Sequence, residues 1–142
     1  MQAQLKFIGK IETPFLTIDE CPRNISTDGP ECRLILEEEY SAGLSGLAEG
    51  QEILILYWLG DADRNTLRQT SRRTGKPAGV FAIRTPNRPN PIGAAVINIE
   101  KITGSIISVK GLDCLNGTPL LDIKPAILSE RINPNSPNQF FR

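Results

Sequence analysis

An all-β fold, a closed or nearly closed barrel carrying one short helix, is what the sequence predicts, and three observations predict it. Seven short runs rich in β-branched and aromatic residues recur at close intervals along 142 residues, the pattern of a many-stranded sheet. A single segment has helical spacing. No glycine-rich turn joins a strand to a long helix, which argues against a dinucleotide-type fold.

In chain order, Leu5 to Ile11 reads as a strand with mixed alternation, and Arg33 to Leu36 as a second. Ile53 to Leu59, the longest unbroken apolar run, reads as a strand buried on both faces. The helical candidate is Asp63 to Arg73: Asp61 or Asp63 would cap it, and Gly75-Lys76-Pro77 would end it. In such a helix Arg64, Arg68 and Arg72, spaced by four, share one face. Val80 to Ile83, Ala94 to Ile102 and Ile106 to Leu112 follow as strands, with Gly104-Ser105 as a hairpin turn between the last two. Leu120 to Ile123 completes the set. The expected organisation is one barrel domain over residues 1–130 and a loose tail over 131–142, where Asn133-Pro134-Asn135-Ser136-Pro137-Asn138 is rich in turn formers.

Composition narrows the chemistry. The chain has no histidine, which excludes Ser-His-Asp and Cys-His nucleophile arrangements, His-ligated zinc and haem, and a histidine general base. Cys21, Cys32 and Cys114 have no Cys-x-x-Cys spacing, so no metal set is expected. They read as three reduced thiols, with a Cys21–Cys32 bridge as the other option. The apolar runs are too short to cross a bilayer as a helix, and Lys6, Lys10 and Glu12 break up the N-terminus. A cytoplasmic protein is expected.

Lys+Arg and Asp+Glu balance at 16 each, but the balance is a sum of unlike parts. Residues 1–63 carry 12 acidic and 4 basic side chains, whereas residues 64–99 carry 7 basic ones (Arg64, Arg68, Arg72, Arg73, Lys76, Arg84 and Arg88) and no acid. Such a stretch is either a solvated face or an electrostatic footprint for phosphate or RNA.

Two segments are specific. Arg84-Thr85-Pro86-Asn87-Arg88-Pro89-Asn90-Pro91-Ile92-Gly93 places three prolines in six residues. Each lacks an N–H and pushes its predecessor toward extended backbone, so the segment is a stiff loop. It either merely crosses the barrel or presents guanidinium and amide groups to an anionic ligand. The second segment runs from Gly111 to Pro125. Asn116-Gly117 reads as a tight turn, so Asp113 and Asp122 would stand on opposite arms of a hairpin and could converge.

Together these segments resemble the TsaA-like family, which includes the TrmO tRNA methyltransferases and the VirR-type proteins. Gly79-Val80-Phe81-Ala82-Ile83-Arg84 running into Arg88-Pro89-Asn90-Pro91-Ile92-Gly93 is similar to the family's central motif. Asn116-Gly117-Thr118-Pro119 with Leu121-Asp122-Ile123-Lys124-Pro125 is similar to its second. The resemblance covers roughly Phe7 to Leu128. It implies a β-barrel homodimer that binds S-adenosylmethionine and, in the tRNA-modifying members, methylates the exocyclic nitrogen of N-threonylcarbamoyladenosine beside the anticodon. Position by position, it implies cofactor contacts at Pro22, Arg23, Asn24, Gly60, Asp61, Arg84, Ala94, Asp113, Cys114, Leu115 and Asn116.

With histidine absent, Asp113, Asp122 and Tyr57 are the candidate bases. Arg64, Arg68, Arg72, Arg73 and Arg88 are the candidate RNA contacts. The chain departs from the family where members often have an aromatic-Ser-His start and an aromatic-His end to the long apolar strand; here those places read Gly50-Gln51-Glu52 and Leu59-Gly60. Asn116 stands where Asp is common, and longer bacterial members carry a second C-terminal domain. Two other functions fit the same sequence: an S-adenosylmethionine-binding or adaptor barrel without the chemistry, and a methyltransferase acting on a small molecule.

Overall fold

The structure is a computed structural model and describes residues 1–127. These fall into two compact units: Met1–Trp58 with Gly93–Ala126, and Leu59–Ile92 with Ile127. The expected tail at 131–142 lies outside the described residues.

The first unit is built on a seven-stranded sheet. Its strands are β1 (Gly9–Glu12), β2 (Glu31–Leu36), β3 (Glu52–Trp58), β6 (Ile92–Asn98), β7 (Lys101–Thr103), β8 (Ile106–Lys110) and β9 (Thr118–Pro125). Their spatial order is β6-β3-β9-β1-β2-β8-β7. Period-two alternation sets the inner face: Cys32, Leu34 and Leu36 of β2, Ile53, Ile55 and Tyr57 of β3, and Ile107 and Val109 of β8 are buried. Ile11, Leu34, Ile53, Ile55, Ile107 and Leu120 are fully enclosed, each worth about 2 kcal/mol relative to exposure. On β3 the outward residues Leu54, Leu56 and Trp58 are half-buried, so this strand hides one face completely, not both as its unbroken apolar run predicts.

The all-β reading holds; closure of the sheet does not, since its pairing order ends at β6 on one side and β7 on the other. Those two edges are nevertheless nearly continuous in the chain, with Ile99 and Glu100 between them. The hairpin at Gly104-Ser105 forms as predicted, joining β7 to β8 with Ile102 opposite Ile107. The expected hairpin around Asn116-Gly117 does not. β9 pairs with β1 and β3, while β8 pairs with β2 and β7, so two strands intervene between them.

The second unit holds a two-stranded ribbon, β4 (Arg68–Thr70) with β5 (Pro77–Gly79), in the register Arg68 to Gly79, Gln69 to Ala78 and Thr70 to Pro77. It replaces the predicted helix. Asp63 accepts the Asn65 N–H at 2.8 Å, closing a local turn and capping no helix. The segment also lacks the apolar stripe that would hold a helix against a core. Arg64, Arg68 and Arg72 therefore do not share a helical face. Helical structure among the described residues is confined to 3-10 segments at Ile18–Glu20, Glu38–Leu44 and Val80–Ala82. The last of these stands where a strand is predicted, because Val80 turns inward to near-complete burial immediately after β5 while Phe81 turns out. No helix among the described residues is long and apolar enough to cross a membrane.

Candidate functional site

Most of the expected cofactor contacts lie in the first unit, around the turn that follows β8. Gly111 makes the turn possible: its φ is +79°, and a Cβ there would lie 1.5 Å from the Ser26 carbonyl oxygen. The close approach is used. Ser26 N–H donates to the Gly111 carbonyl and Gly111 N–H to the Pro30 carbonyl, each at 2.9 Å. This ties the exposed loop holding Pro22, Arg23 and Asn24 to the residue two positions before Asp113. Cys21, which opens that loop, lies close enough to Asp113 for the carboxylate to help raise its thiol pKa, after the larger effect of burial.

The turn is fixed from below. Leu112 and Cys114 are buried, leaving Asp113, Leu115 and Asn116 to face outward. Thr13 Oγ1 donates to the Cys114 carbonyl at 2.8 Å, Thr13 N–H donates to Asn116 Oδ1 at 3.1 Å, and Asn116 N–H donates to the Phe15 carbonyl at 2.8 Å. Thr118 Oγ1 closes the turn on the Leu115 carbonyl at 2.6 Å. Asn116 thus holds the backbone through its side-chain oxygen, a bond that the Asp common in the family could equally accept. It also borders an open pocket of about 430 Å³ with Glu12, Thr13 and Arg33. Cys114 is one of three free thiols, so the Cys21–Cys32 bridge is not formed. Burial pushes the Cys114 pKa up to about 12, which keeps this sulfur protonated and inert as a nucleophile.

Two of the three candidate bases come together. Tyr57, 5% exposed at the end of β3, donates its hydroxyl to Asp113 Oδ1 at 3.5 Å. Its ring lies over the backbone of Gly93 in β6, where a Cβ would meet ring carbons at 2.3–2.7 Å. Gly93 ends the proline-rich motif and precedes Ala94, so the motif's last glycine makes room for the ring that reaches Asp113. Asp122 goes elsewhere. It pairs in register with Leu56, on the face of β3 opposite Tyr57, and forms an ion pair with Lys124 at 2.8 Å.

Gly60, Asp61 and Arg84 lie in the second unit and are exposed. There the proline-rich loop is held by its own side chains. Gln69 Oε1 accepts from Thr85 Oγ1 at 3.0 Å and from Asn87 Nδ2 at 3.2 Å, and Asp63 N–H donates to Asn87 Oδ1 at 3.0 Å. Arg64 Nε donates to the Pro89 carbonyl at 2.8 Å; Arg88 Nη1 donates to the carbonyls of Ile83 and Thr85 at 3.2 and 2.9 Å. These two arginines build the loop. Arg68, Arg72 and Arg73 lie exposed on the ribbon and its turn. Thr13 and Gln69 carry much of this architecture, yet no local pattern marks either in the sequence. Gly93 stands inside a motif, but its role depends on a ring brought from 36 positions away.

An all-β domain whose polar turn is bolted to its first strand and lies beside a Tyr–Asp pair is the class defined by these features. The chain belongs to the family of tRNA-methyltransferase O N-terminal domains, whose profile matches residues 10–129. It is 43% identical over 123 residues to the probable S-adenosyl-L-methionine-binding protein VirR of Rhizobium radiobacter, covering 87% of this chain and 70% of that protein. An S-adenosyl-L-methionine-binding protein of Archaeoglobus fulgidus is 36% identical over 120 residues, covering 84% of this chain and 86% of the relative. The tRNA (adenine(37)-N6)-methyltransferase of Rattus norvegicus is 33% identical over 128 residues, but this chain spans 30% of its length. Among solved structures, TrmO from Pseudomonas aeruginosa superposes with a TM-score of 0.78 at 27% identity, with 98% of this chain and 62% of that one covered.

Proposed function

We propose that this domain binds S-adenosylmethionine at the Asp113–Asn116 turn and methylates a tRNA base, the exocyclic nitrogen of N-threonylcarbamoyladenosine beside the anticodon, in the cytoplasm. The observation that carries the reading is the turn itself: four outward or backbone-presenting residues locked by Thr13 and Thr118, in a chain of this family. The donor set suits the cofactor. An adenosyl and amino-acid ligand with a sulfonium needs carboxylate and carbonyl oxygen, and the turn offers the Asp113 carboxylate and backbone groups. Arg23 and Asn24 would meet its polar ends from the anchored loop. The roles of Gly60, Asp61, Arg84 and Ala94 rest on the resemblance.

When bound, S-adenosylmethionine supplies an electrophilic methyl group, and transfer needs little beyond alignment of the attacking atom. The protein's part is positioning and proton removal. A ureido-type N–H is weakly nucleophilic while protonated, so Asp113 takes that proton, with the Tyr57 hydroxyl orienting the carboxylate. A carboxylate accepts from several donors at once, so the Tyr57 bond does not exhaust it. Arg68, Arg72 and Arg73 hold RNA phosphates, which makes RNA affinity fall with salt. Incubating the chain with S-adenosylmethionine and tRNA bearing the threonylcarbamoyl group, then digesting to nucleosides, tests the reaction: methylated product supports it and unmodified nucleoside overturns it.

A homodimer fits the same reading. Leu54, Leu56 and Trp58 of β3 are half-buried, and beside them on β6 Ile92 and Val96 are 39% and 46% exposed, an apolar face at a sheet edge. A monomer mass by light scattering at micromolar protein would remove this part.

A second reading is favoured by the departures at Gly50-Gln51-Glu52 and Leu59-Gly60 and by relatives described as binding proteins: the domain holds the cofactor without transferring its methyl group to tRNA. Cofactor binding with no tRNA product distinguishes it. A small-molecule acceptor would instead leave activity unchanged in Arg68→Glu with Arg72→Glu.

A further inference from the structure

We propose that Phe81, exposed on the same ribbon as Leu67, is a stacking platform for an unpaired RNA base; the inference rests on the tRNA reading and adds to it a non-ionic contact. Phe81 is 79% exposed and Leu67 is 62% exposed. The ribbon register sets Leu67 opposite Val80, the residue before Phe81, since Val80 N–H donates to the Leu67 carbonyl at 3.0 Å, extending the β4–β5 ladder by one pair. Val80 fills the interior at 1% exposure, so the apolar requirement of this ribbon is met by Val80, and Phe81 and Leu67 are left to the surface.

Their surroundings choose the occupant. Arg68 stands next to Leu67 and opposite Gly79, and Arg72, Arg73 and Lys76 line the turn of the same ribbon. No acidic residue occurs anywhere from Arg64 to Ile99. An apolar protein partner would leave these cations without counter-charge, and a membrane surface would call for a broader apolar face than two side chains. A single-stranded nucleic acid answers both features: its phosphates neutralise the arginines, and its bases offer flat apolar faces. Aromatic stacking of this kind is tolerant of base identity. It therefore adds affinity for unpaired loops over duplexes without reading sequence.

The experiment uses the whole chain and a fluorescein-labelled RNA stem-loop with an anticodon-sized loop, compared with a blunt RNA duplex of equal phosphate number. In fluorescence anisotropy, Phe81→Ala should weaken stem-loop binding by about tenfold, the scale of one lost base stack, while leaving duplex binding and the salt slope unchanged. Phe81→Trp should restore the affinity. Arg68→Gln with Arg72→Gln should instead weaken both RNAs and flatten the salt slope. Wild-type protein that binds neither RNA sinks the tRNA reading itself. Wild-type binding with Phe81→Ala indistinguishable on the stem-loop overturns this inference alone, as would a change in protein mass on Phe81→Ala, which would assign Phe81 to contact between chains.

Discussion

Gly93→Ala is the substitution that most sharply probes how the proline-rich motif serves the site. An alanine Cβ would lie 2.3 Å from Tyr57 Cε2 and 2.6 Å from Cζ, whereas carbon atoms in contact prefer about 3.5–4.0 Å. The ring must therefore retreat by more than about 1 Å. At 5% exposure it has little room to do so, and overpacking of this kind costs about 1–3 kcal/mol. Its hydroxyl already reaches Asp113 at 3.5 Å, so the same movement breaks that bond. In a domain of this size the cost corresponds to a fall in Tm of about 3–10 °C, and S-adenosylmethionine should bind more weakly in calorimetry. A double-mutant cycle isolates the cause. In a Tyr57→Val background the ring is gone, and Gly93→Ala should cost close to nothing, giving a coupling of about 1–3 kcal/mol. Additive costs, or a Gly93→Ala protein that melts and binds like wild type, would refute the contact as the reason for glycine at this position.

Three further outcomes follow from other parts of the structure. Thr13→Val leaves the Cys114 carbonyl without its 2.8 Å donor and should lower stability by about 1–3 kcal/mol in urea unfolding, with Thr13→Ser recovering most of it; identical midpoints for all three proteins would show that the turn is held otherwise. Gln69→Leu removes the acceptor shared by Thr85 and Asn87, so backbone amides from Thr85 to Ile92 should exchange with deuterium faster while those of β2 and β8 do not; uniform protection would contradict it. The Cys114 thiol, raised from 9.0 to about 12 in the fold, stays protonated where the unfolded chain has lost its proton. Stability should therefore be fully present below pH 9 and fall as pH rises toward 12, by at most about 1.4 kcal/mol per pH unit. Cys114→Ala should shallow that slope, and an unchanged slope would exclude this thiol as its source.

Strand positions were legible because burial on one face imposes period two, and β2, β3 and β8 follow it closely. Edges shifted, by four residues in β1, which starts at Gly9 and not Leu5. What failed were inferences from local spacing where distant pairing decides. Cap and stop signals at Asp61 or Asp63 and Gly75-Lys76-Pro77 suggested a helix, but with no apolar stripe the segment forms the β4–β5 ribbon, from which Gln69 holds the proline-rich loop. Asn116-Gly117 has hairpin chemistry, yet the following strand pairs with β1 and β3, because the hydrophobic faces of those strands match it. The separation of Asp113 from Asp122 follows from the same choice. Within the candidate site, Asp113 and Asn116 could be picked out by motif, whereas Thr13 acts through contacts more than 100 positions away in the chain, which no window of sequence contains. Arg64 and Arg88 were legible as cations, whereas their bonds to carbonyl groups of their own loop depend on a fold that no window of sequence shows.

Calorimetric titration of S-adenosylmethionine into the full chain, alongside Asp113→Ala and Thr13→Val, tests the central claim most directly. Saturable binding to wild type is expected, weakened by both substitutions, one removing a contact and the other loosening the turn that presents it. No heat and no thermal shift at millimolar ligand, or binding unaffected by either change, would contradict it.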